Sequence, residues 1–184
     1  MAVETPEEFS AVIEAAKARL PGEPQEAFQL LLPVLNYPGA LDSLEKFVAG
    51  LEAFGLVCYH LGAHDLGRTL EFLCREPDHP EALFDLGYRC YEQRLFGVGA
   101  TFLAHGHHFH PEEVSLLTEL VSCLEGMGLY GEAYRYLKQA AIDKPVCHYL
   151  LGFQAHMSGK LEEAEAVLPM LQDVDNEEVA QMRD

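Results

Sequence analysis

The chain has 184 residues, and 49% of them are apolar, which is enough to bury a core and too many for a disordered tail. Its formal net charge of −18 sets up a field that repels nucleic acid phosphates and anionic lipid, so neither is an expected partner. The five cysteines, Cys58, Cys74, Cys90, Cys123 and Cys147, are odd in number and hold no CxxC pair, which argues against a disulfide framework or a zinc site.

Free thiols in a helical core suit a reducing cytoplasm, the expected location. Met1 to Phe9 carries glutamates, no basic residue and no apolar run, so no leader peptide is expected. The longest uncharged run, Leu95 to His110, is too short and too rich in Gly and His to cross a bilayer. The acidic excess is heaviest at the two ends of the chain. It serves either as a solubility device or as an attraction for a basic partner, and both readings stay open.

In chain order, the first half reads as helices of poor repeat register. Thr5-Pro6-Glu7-Glu8 is a capping box with proline at the first helical position. Phe9, Val12, Ile13, Ala16 and Leu20 then form an apolar stripe, stopped by Pro21-Gly22. Pro24 opens a second, leucine-rich helix that Pro33 is expected to kink and Asn36 to Gly39 to end. A longer helix is expected from about Asp42 to His60, and another from about His64 to Arg75. Residues 1–78 are thus read as two degenerate helical hairpins that cap and extend a stack.

From Pro80 onward the chain repeats itself. Leu83, Leu86, Gly87, Phe96, Gly99, Leu103 and Pro111 form a set of landmarks. The set returns 34 residues later as Leu117, Leu120, Val121, Tyr130, Ala133, Leu137 and Pro145, and a further 31 later as His148, Leu151, Gly152, Leu161, Ala164 and Leu168. The three missing residues fall at Pro145, between units, where a deletion shortens a loop and spares the helices. This gives three units over residues 79–175, namely 80–113, 114–144 and 145–175.

Within each unit the apolar spacing is three and four, as in Leu83, Leu86 and Cys90, so the pattern is helical. A turn follows near Arg94, Gly128 and Gly159. The second helix then places a small residue, Gly99, Ala133 or Ala164, where two helices must approach closely. Pro111 and Pro145 suit the first turn of the following helix, with Glu112 and Glu113 beside its positive end. Residues 176–184 begin another amphipathic turn, read as a C-terminal cap or the start of a further helix.

The segments "LFDLGYRCYEQRLFGVGATFLAHGHHFHP", "LLTELVSCLEGMGLYGEAYRYLKQAAIDKP" and "CHYLLGFQAHMSGKLEEAEAVLPML" resemble the tetratricopeptide repeat. Their departures from it are the absence of Trp, Arg94 in place of the usual glycine, Val121 in place of a small residue, and His148 in place of a bulky apolar one. The resemblance implies an all-α fold, a right-handed superhelical stack of antiparallel helix pairs with about ten helices. It also implies a concave groove lined by the first helices, where that family binds protein or peptide.

By position in the motif the groove residues are Phe84, Tyr88 and Tyr91, then Thr118, Ser122 and Glu125, then Tyr149, Phe153 and His156. Phe84, Tyr91 and Tyr149 are equally readable as packing between helices, which leaves Tyr88 and Phe153 as the better anchors. Lysine, arginine and asparagine are absent from these positions, so the carboxylate grip of some family members is not expected. The expected partner is a protein or peptide, basic with apolar anchors, and self-association of the repeats stays open.

The run His105-Gly106-His107-His108-Phe109-His110 admits two readings. One is a helix C-terminus where partly protonated histidines complement the dipole. The other is a metal- or pH-responsive site, for which His105, His107, His108 and His110 are weak ligand candidates. No cofactor is expected. The chain holds no GxSxG, no phosphate-cradling glycine loop, no HExxH and no dinucleotide fingerprint, so the chain is read as a scaffold or adaptor and not an enzyme.

Overall fold

The structure, a computed structural model, describes residues 6–36 and 43–171. Among them the chain forms ten α-helices, a final 3-10 turn and no strand. The helices are α1 (Pro6–Ala18), α2 (Pro24–Leu31), α3 (Leu44–His60), α4 (His64–Arg75), α5 (Pro80–Glu92), α6 (Phe96–Phe109), α7 (Val114–Gly126), α8 (Tyr130–Ala140), α9 (Pro145–Met157) and α10 (Leu161–Val167), followed by the turn Leu168–Leu171. Each helix packs on the next, and the pairs stack in a right-handed superhelix of the tetratricopeptide kind.

The hairpin turns show how the repeat is built. Gly62, Arg94, Gly128 and Gly159 occupy equivalent places after α3, α5, α7 and α9, and all four are left-handed, with φ of +78°, +59°, +72° and +77°. In each, the residue after the left-handed one donates its N–H to a carbonyl in the last helical turn. The pairs are Ala63 to Cys58 at 2.9 Å, and Leu95 to Cys90, Leu129 to Leu124 and Lys160 to Ala155 at 2.8 Å. This closure satisfies carbonyls that the helix end would leave orphaned. The hairpin α3–α4 therefore turns as the later ones do, although its landmarks are degenerate. Arg94 takes the strained conformation that glycine adopts freely elsewhere.

Proline explains where several helix ends differ from the sequence-based expectation. Because α2 stops at Leu31, Pro33 follows the helix and does not kink it. Lacking an N–H, Pro33 cannot continue the ladder, and Val34 bonds Leu31 at 2.9 Å in a tighter turn. Pro145 is the first residue of α9, as expected, but Pro111 lies outside α7. His110, just before it, is pushed out of the helical region, and α7 starts only at Val114 with Glu113 as its cap. Helix α1 ends at Ala18, ahead of Pro21, and Leu20 of its stripe still packs on the first core. Thr5 of the capping box and residues 176–184 lie outside the described residues.

Two apolar cores run through the stack. One gathers buried residues from Phe9 in α1 to Phe102 in α6, and the other extends from Ala100 in α6 to Cys147 in α9. Helix α6 belongs to both, and every residue from Val98 to His107 is buried. A helix apolar on all sides is the expected occupant of such a central place. Its approach to α5 is set by two glycines. A Cβ on Gly87 would run into the Leu103 side chain, and one on Gly99 would sit 2.9 Å from both Cys123 Sγ and the Gly87 carbonyl. Thr101 then ties α6 backwards, donating its hydroxyl to the Leu35 carbonyl at 2.7 Å.

Two substitutions test this construction. Gly87→Ala forces Leu103 from its place, and overpacking of this kind costs about 1–3 kcal/mol, to be read as a lower midpoint in chemical denaturation. Arg94→Gly relieves left-handed strain at some cost in chain entropy, with an expected net gain of roughly 0.5 kcal/mol in the same measurement. A loss of stability in Arg94→Gly would contradict the strain assigned to that turn.

Candidate functional site

The nine groove candidates lie on the first helices of the last three hairpins, α5, α7 and α9. On α5, Tyr88 is 43% exposed and stacks on Phe84, one turn back, with ring centroids 6.2 Å apart and an interplanar angle of 9°. Phe84 is half-buried against the second core, so it supports Tyr88 from below. Tyr91 is exposed and leans on Phe96 at 5.6 Å, across the hairpin. The same pairing recurs on α9, where Phe153, 38% exposed, stacks on half-buried Tyr149 at 6.4 Å and 15°. A ring held by a second ring loses little entropy when it covers a ligand, which suits an anchor.

Between the two aromatic pairs, α7 presents a polar stretch. Thr118 and Ser122 are half-buried, and each donates its hydroxyl to the backbone of its own helix, Ser115 and Thr118 respectively, at 3.1 Å. Glu125 is half-buried and accepts from the side-chain amide of Gln154 on α9, a bond that joins neighbouring units. Burial raises the Glu125 carboxyl above its ordinary range, with the Gln154 bond pulling the other way. Glu119, also on α7, is raised by burial alone, and its Oε1 is buried without a hydrogen-bond partner. Helix α7 therefore carries two acidic groups, Glu119 and Glu125, that have lost part of their water.

Sequence reading passed over Gln154 and Glu119. Each carried a visible signal, since Glu119 is the one charge between Leu116 and Leu124, and Gln154 is a polar residue in the apolar run of α9. Tyr149, Phe153 and His156 converge on a groove of about 430 Å3 between α9 and α10, completed by Leu161 and Leu168. The candidates on α5 and α7 are linked by pairwise contacts instead.

The histidine run departs from its expected place at a wetted helix end. His105 and His107 are 5% and 7% exposed and belong to the core. The His105 ring stacks on Phe47 of α3, with centroids 3.7 Å apart at 22°. A backbone hydrogen bond joins it to Pro77, which has no N–H, so the imidazole donates to that carbonyl, while Nε2 is buried without a partner. Burial, the largest cause, lowers its pKa from 6.5 to about 4, assisted by His108 and opposed by the Pro77 bond and Asp78. His107 is lowered by burial, with Glu112 opposing and His108 assisting.

Both rings are therefore neutral at physiological pH and do not complement the helix dipole. Only His108 and His110 reach solvent, and His110 Nε2 lies 2.6 Å from the Asp78 carbonyl. Among the described residues no group of three His, Cys, Asp or Glu side chains is placed to hold a metal ion. The cysteines lie in or beside the core. Burial pushes the Cys58 thiol up to about 11 and those of Cys90 and Cys123 up to about 12, so they stay protonated. No helix among the described residues is long and apolar enough to cross a membrane.

No family model matches the sequence, and no curated protein matches it. Solved structures of MamA share the fold. A MamA double mutant from strain RS-1 is 16% identical, covers 96% of each chain and gives a TM-score of 0.50. MamA from strain AMB-1 is 22% identical over 94% of this chain and 93% of that one, with a TM-score of 0.51. At such identities the likeness is one of fold, and it runs nearly the length of the chain.

The buried imidazole makes stability depend on pH. The unfolded chain takes up a proton at His105 near pH 6.5, whereas the folded chain refuses it until about pH 4. Stability is thus full above pH 6.5 and falls as pH drops toward 4, by at most about 1.4 kcal/mol per pH unit. His107 acts in the same direction, and Glu119 and Glu125, whose carboxyls are raised, act in the opposite one. Denaturation midpoints between pH 7 and 4.5 should fall more steeply for the native chain than for His105→Phe. Equal slopes would show that His105 is not buried neutral.

Proposed function

We propose that this chain is a protein-interaction module, a scaffold or adaptor that holds a segment of another protein along the inner surface of α5, α7 and α9. The observation that carries this reading is the pair of exposed rings at equivalent positions, Tyr88 and Phe153. Each is backed by a ring one turn behind, and the half-desolvated carboxylates of Glu119 and Glu125 lie on the helix between. Rings exposed to water at fixed spacing contribute little to the fold, and covering them with a ligand is favourable. A ligand with apolar anchors and positive charge fits this strip, in keeping with the net charge of −18. Scaffold rather than enzyme is also favoured by the thiols of Cys90 and Cys123, which burial holds protonated at neutral pH.

A double variant, Tyr88→Ala with Phe153→Ala, tests the groove. Both side chains are more than a third exposed, so the fold should survive, with unfolding midpoints near those of the native chain. Affinity purification from native cells followed by mass spectrometry should recover one or more partners with the native chain and lose them with the variant. The loss of two aromatic anchors is worth about 2 kcal/mol or more, at least thirtyfold in affinity. Partners recovered equally by both proteins would remove the groove assignment.

A further inference from the structure

The left-handed turns supply a register that the residues ahead of Pro80 do not show by themselves. Gly62 closes α3 as Arg94 closes α5, so each residue of α3 has a counterpart on α5 at the same distance from its turn. A ring contact checks the alignment. Tyr91, three residues before its turn, leans on Phe96, two residues after it, at 5.6 Å and 53°. Tyr59 and His64 hold the same two places around Gly62, and their rings meet at 6.0 Å and 38°. The Tyr59 hydroxyl also donates to Glu71 of α4 at 3.1 Å, which ties the ring across its hairpin. The end of α3 is therefore built as the end of α5 is.

On this register the counterpart of Tyr88 and Phe153 is Leu56. It is 42% exposed, close to the 43% and 38% of the two rings, although Gly55 and Val57 on either side of it are buried. The matching residue of α7 is Ser122, half-buried. Neighbouring first helices meet side by side. Cys58 of α3 is near enough to Cys90 of α5 to raise its thiol further, and Cys90 and Cys123 of α7 both press on the place of a Gly99 Cβ, at 3.2 and 2.9 Å. Gln154 of α9 bonds Glu125 of α7. Charge on this face has one sign. Glu52, exposed, stands one turn before Leu56, and no lysine or arginine occupies a place on these four helices that matches Phe84, Tyr88 or Tyr91.

We propose that Leu56 is a third anchor of the inner surface, and that the segment held there is an extended, basic stretch of a partner protein crossing α3, α5, α7 and α9. Packed helices lie roughly 8–10 Å apart and an extended chain advances about 3.3 Å per residue, so the ligand passes one helix about every three residues. Its apolar residues over Leu56 and Tyr88 then fall about three apart, and the one over Phe153 about six further on. Lysine or arginine between the last two meets Glu125, and another near the first meets Glu52. A helical ligand, with about 5.4 Å per turn, matches that step neither in one turn nor in two. A second copy of the chain would bring its own charge of −18 and meet repulsion. The inference rests on the reading that the inner surface holds another protein, and it adds α3 and a ligand chemistry to that surface.

The test is selection of random peptides of about twelve residues, displayed on phage, against the immobilised full chain. Enriched peptides are then synthesised and titrated by fluorescence anisotropy. They should carry lysine or arginine between apolar positions, and their affinity should fall with added salt. Leu56→Ala should weaken a selected peptide about tenfold, as Tyr88→Ala does, and Glu52→Lys severalfold. Leu44→Ala, at the other end of α3 and 47% exposed, should leave binding unchanged. Unfolding midpoints of each variant check that the stack is intact.

Peptides that lose affinity in Tyr88→Ala and Phe153→Ala but not in Leu56→Ala would confine the site to α5, α7 and α9, sinking this inference and leaving the broader reading standing. Peptides indifferent to all three substitutions, or no enrichment at all, would sink both. Acidic peptides, or peptides that turn helical on binding by circular dichroism, would remove the extended basic ligand. A dimer in sedimentation velocity that Leu56→Ala dissolves would make the occupant a second copy, which also overturns the proposal.

Discussion

The close approach of α5 and α6 is the contact on which the rest of the stack depends. Gly87 has no side chain because the Leu103 side chain fills that space, and Gly99 has none because the Gly87 carbonyl and the Cys123 thiol press against it. With both glycines in place, α6 sinks far enough for ten consecutive residues, Val98 to His107, to be buried, and so contributes buried residues to both cores. Its bonds reach backwards through Thr101 to Leu35 and through Phe102 and His105 to Phe47, and its other side meets Leu116 of α7 at Gly106. Each fully buried side chain of this size is worth about 1.5–3 kcal/mol. The exposed ion pairs are mostly between neighbours on one helix and are worth a few tenths each, so they do not hold units together.

The same constraint explains the histidines. A helix wrapped on every side must bury whatever its sequence places there, and α6 carries His105 and His107 into the core as neutral rings. The spacing of the run was plain in the sequence. What stacks on it was not, because Phe47 comes from a helix far upstream whose repeat register is weak. The dipole reading of the run fails for His105 and His107, which are buried, whereas His108 and His110 at the helix end reach solvent.

Much of the architecture was legible for a definite reason. In a solenoid each residue meets only the unit before and the unit after, so a local period contains most of the long-range packing. The landmarks Gly87, Gly99 and Leu103 turn out to be one contact described three times. Arg94 was visible as a departure from glycine, and its left-handed backbone shows that the turn kept its shape when the residue changed. Where the period thins, ahead of Pro80, reading of the helices survived but reading of their register did not. Pro111 and Pro33 were misplaced by a turn because proline marks a boundary without saying on which side of it the helix lies. The exposure of Tyr88 and Phe153 was expected from their place in the motif, whereas the Glu125–Gln154 bond between units required the geometry.

The division of labour along the chain follows from these energetics. In the middle, most of the apolar surface a unit presents is consumed by its neighbours, although rings such as Tyr88 stay exposed. Leu103 of α6 and Leu137 of α8 are buried mid-helix, whereas Leu168, their counterpart in sequence, falls in the 3-10 turn after α10 and is exposed, and it is Val167 that packs at Gly152. A repeat that must bury one neighbour to stabilise itself is thereby also a repeat that attracts one.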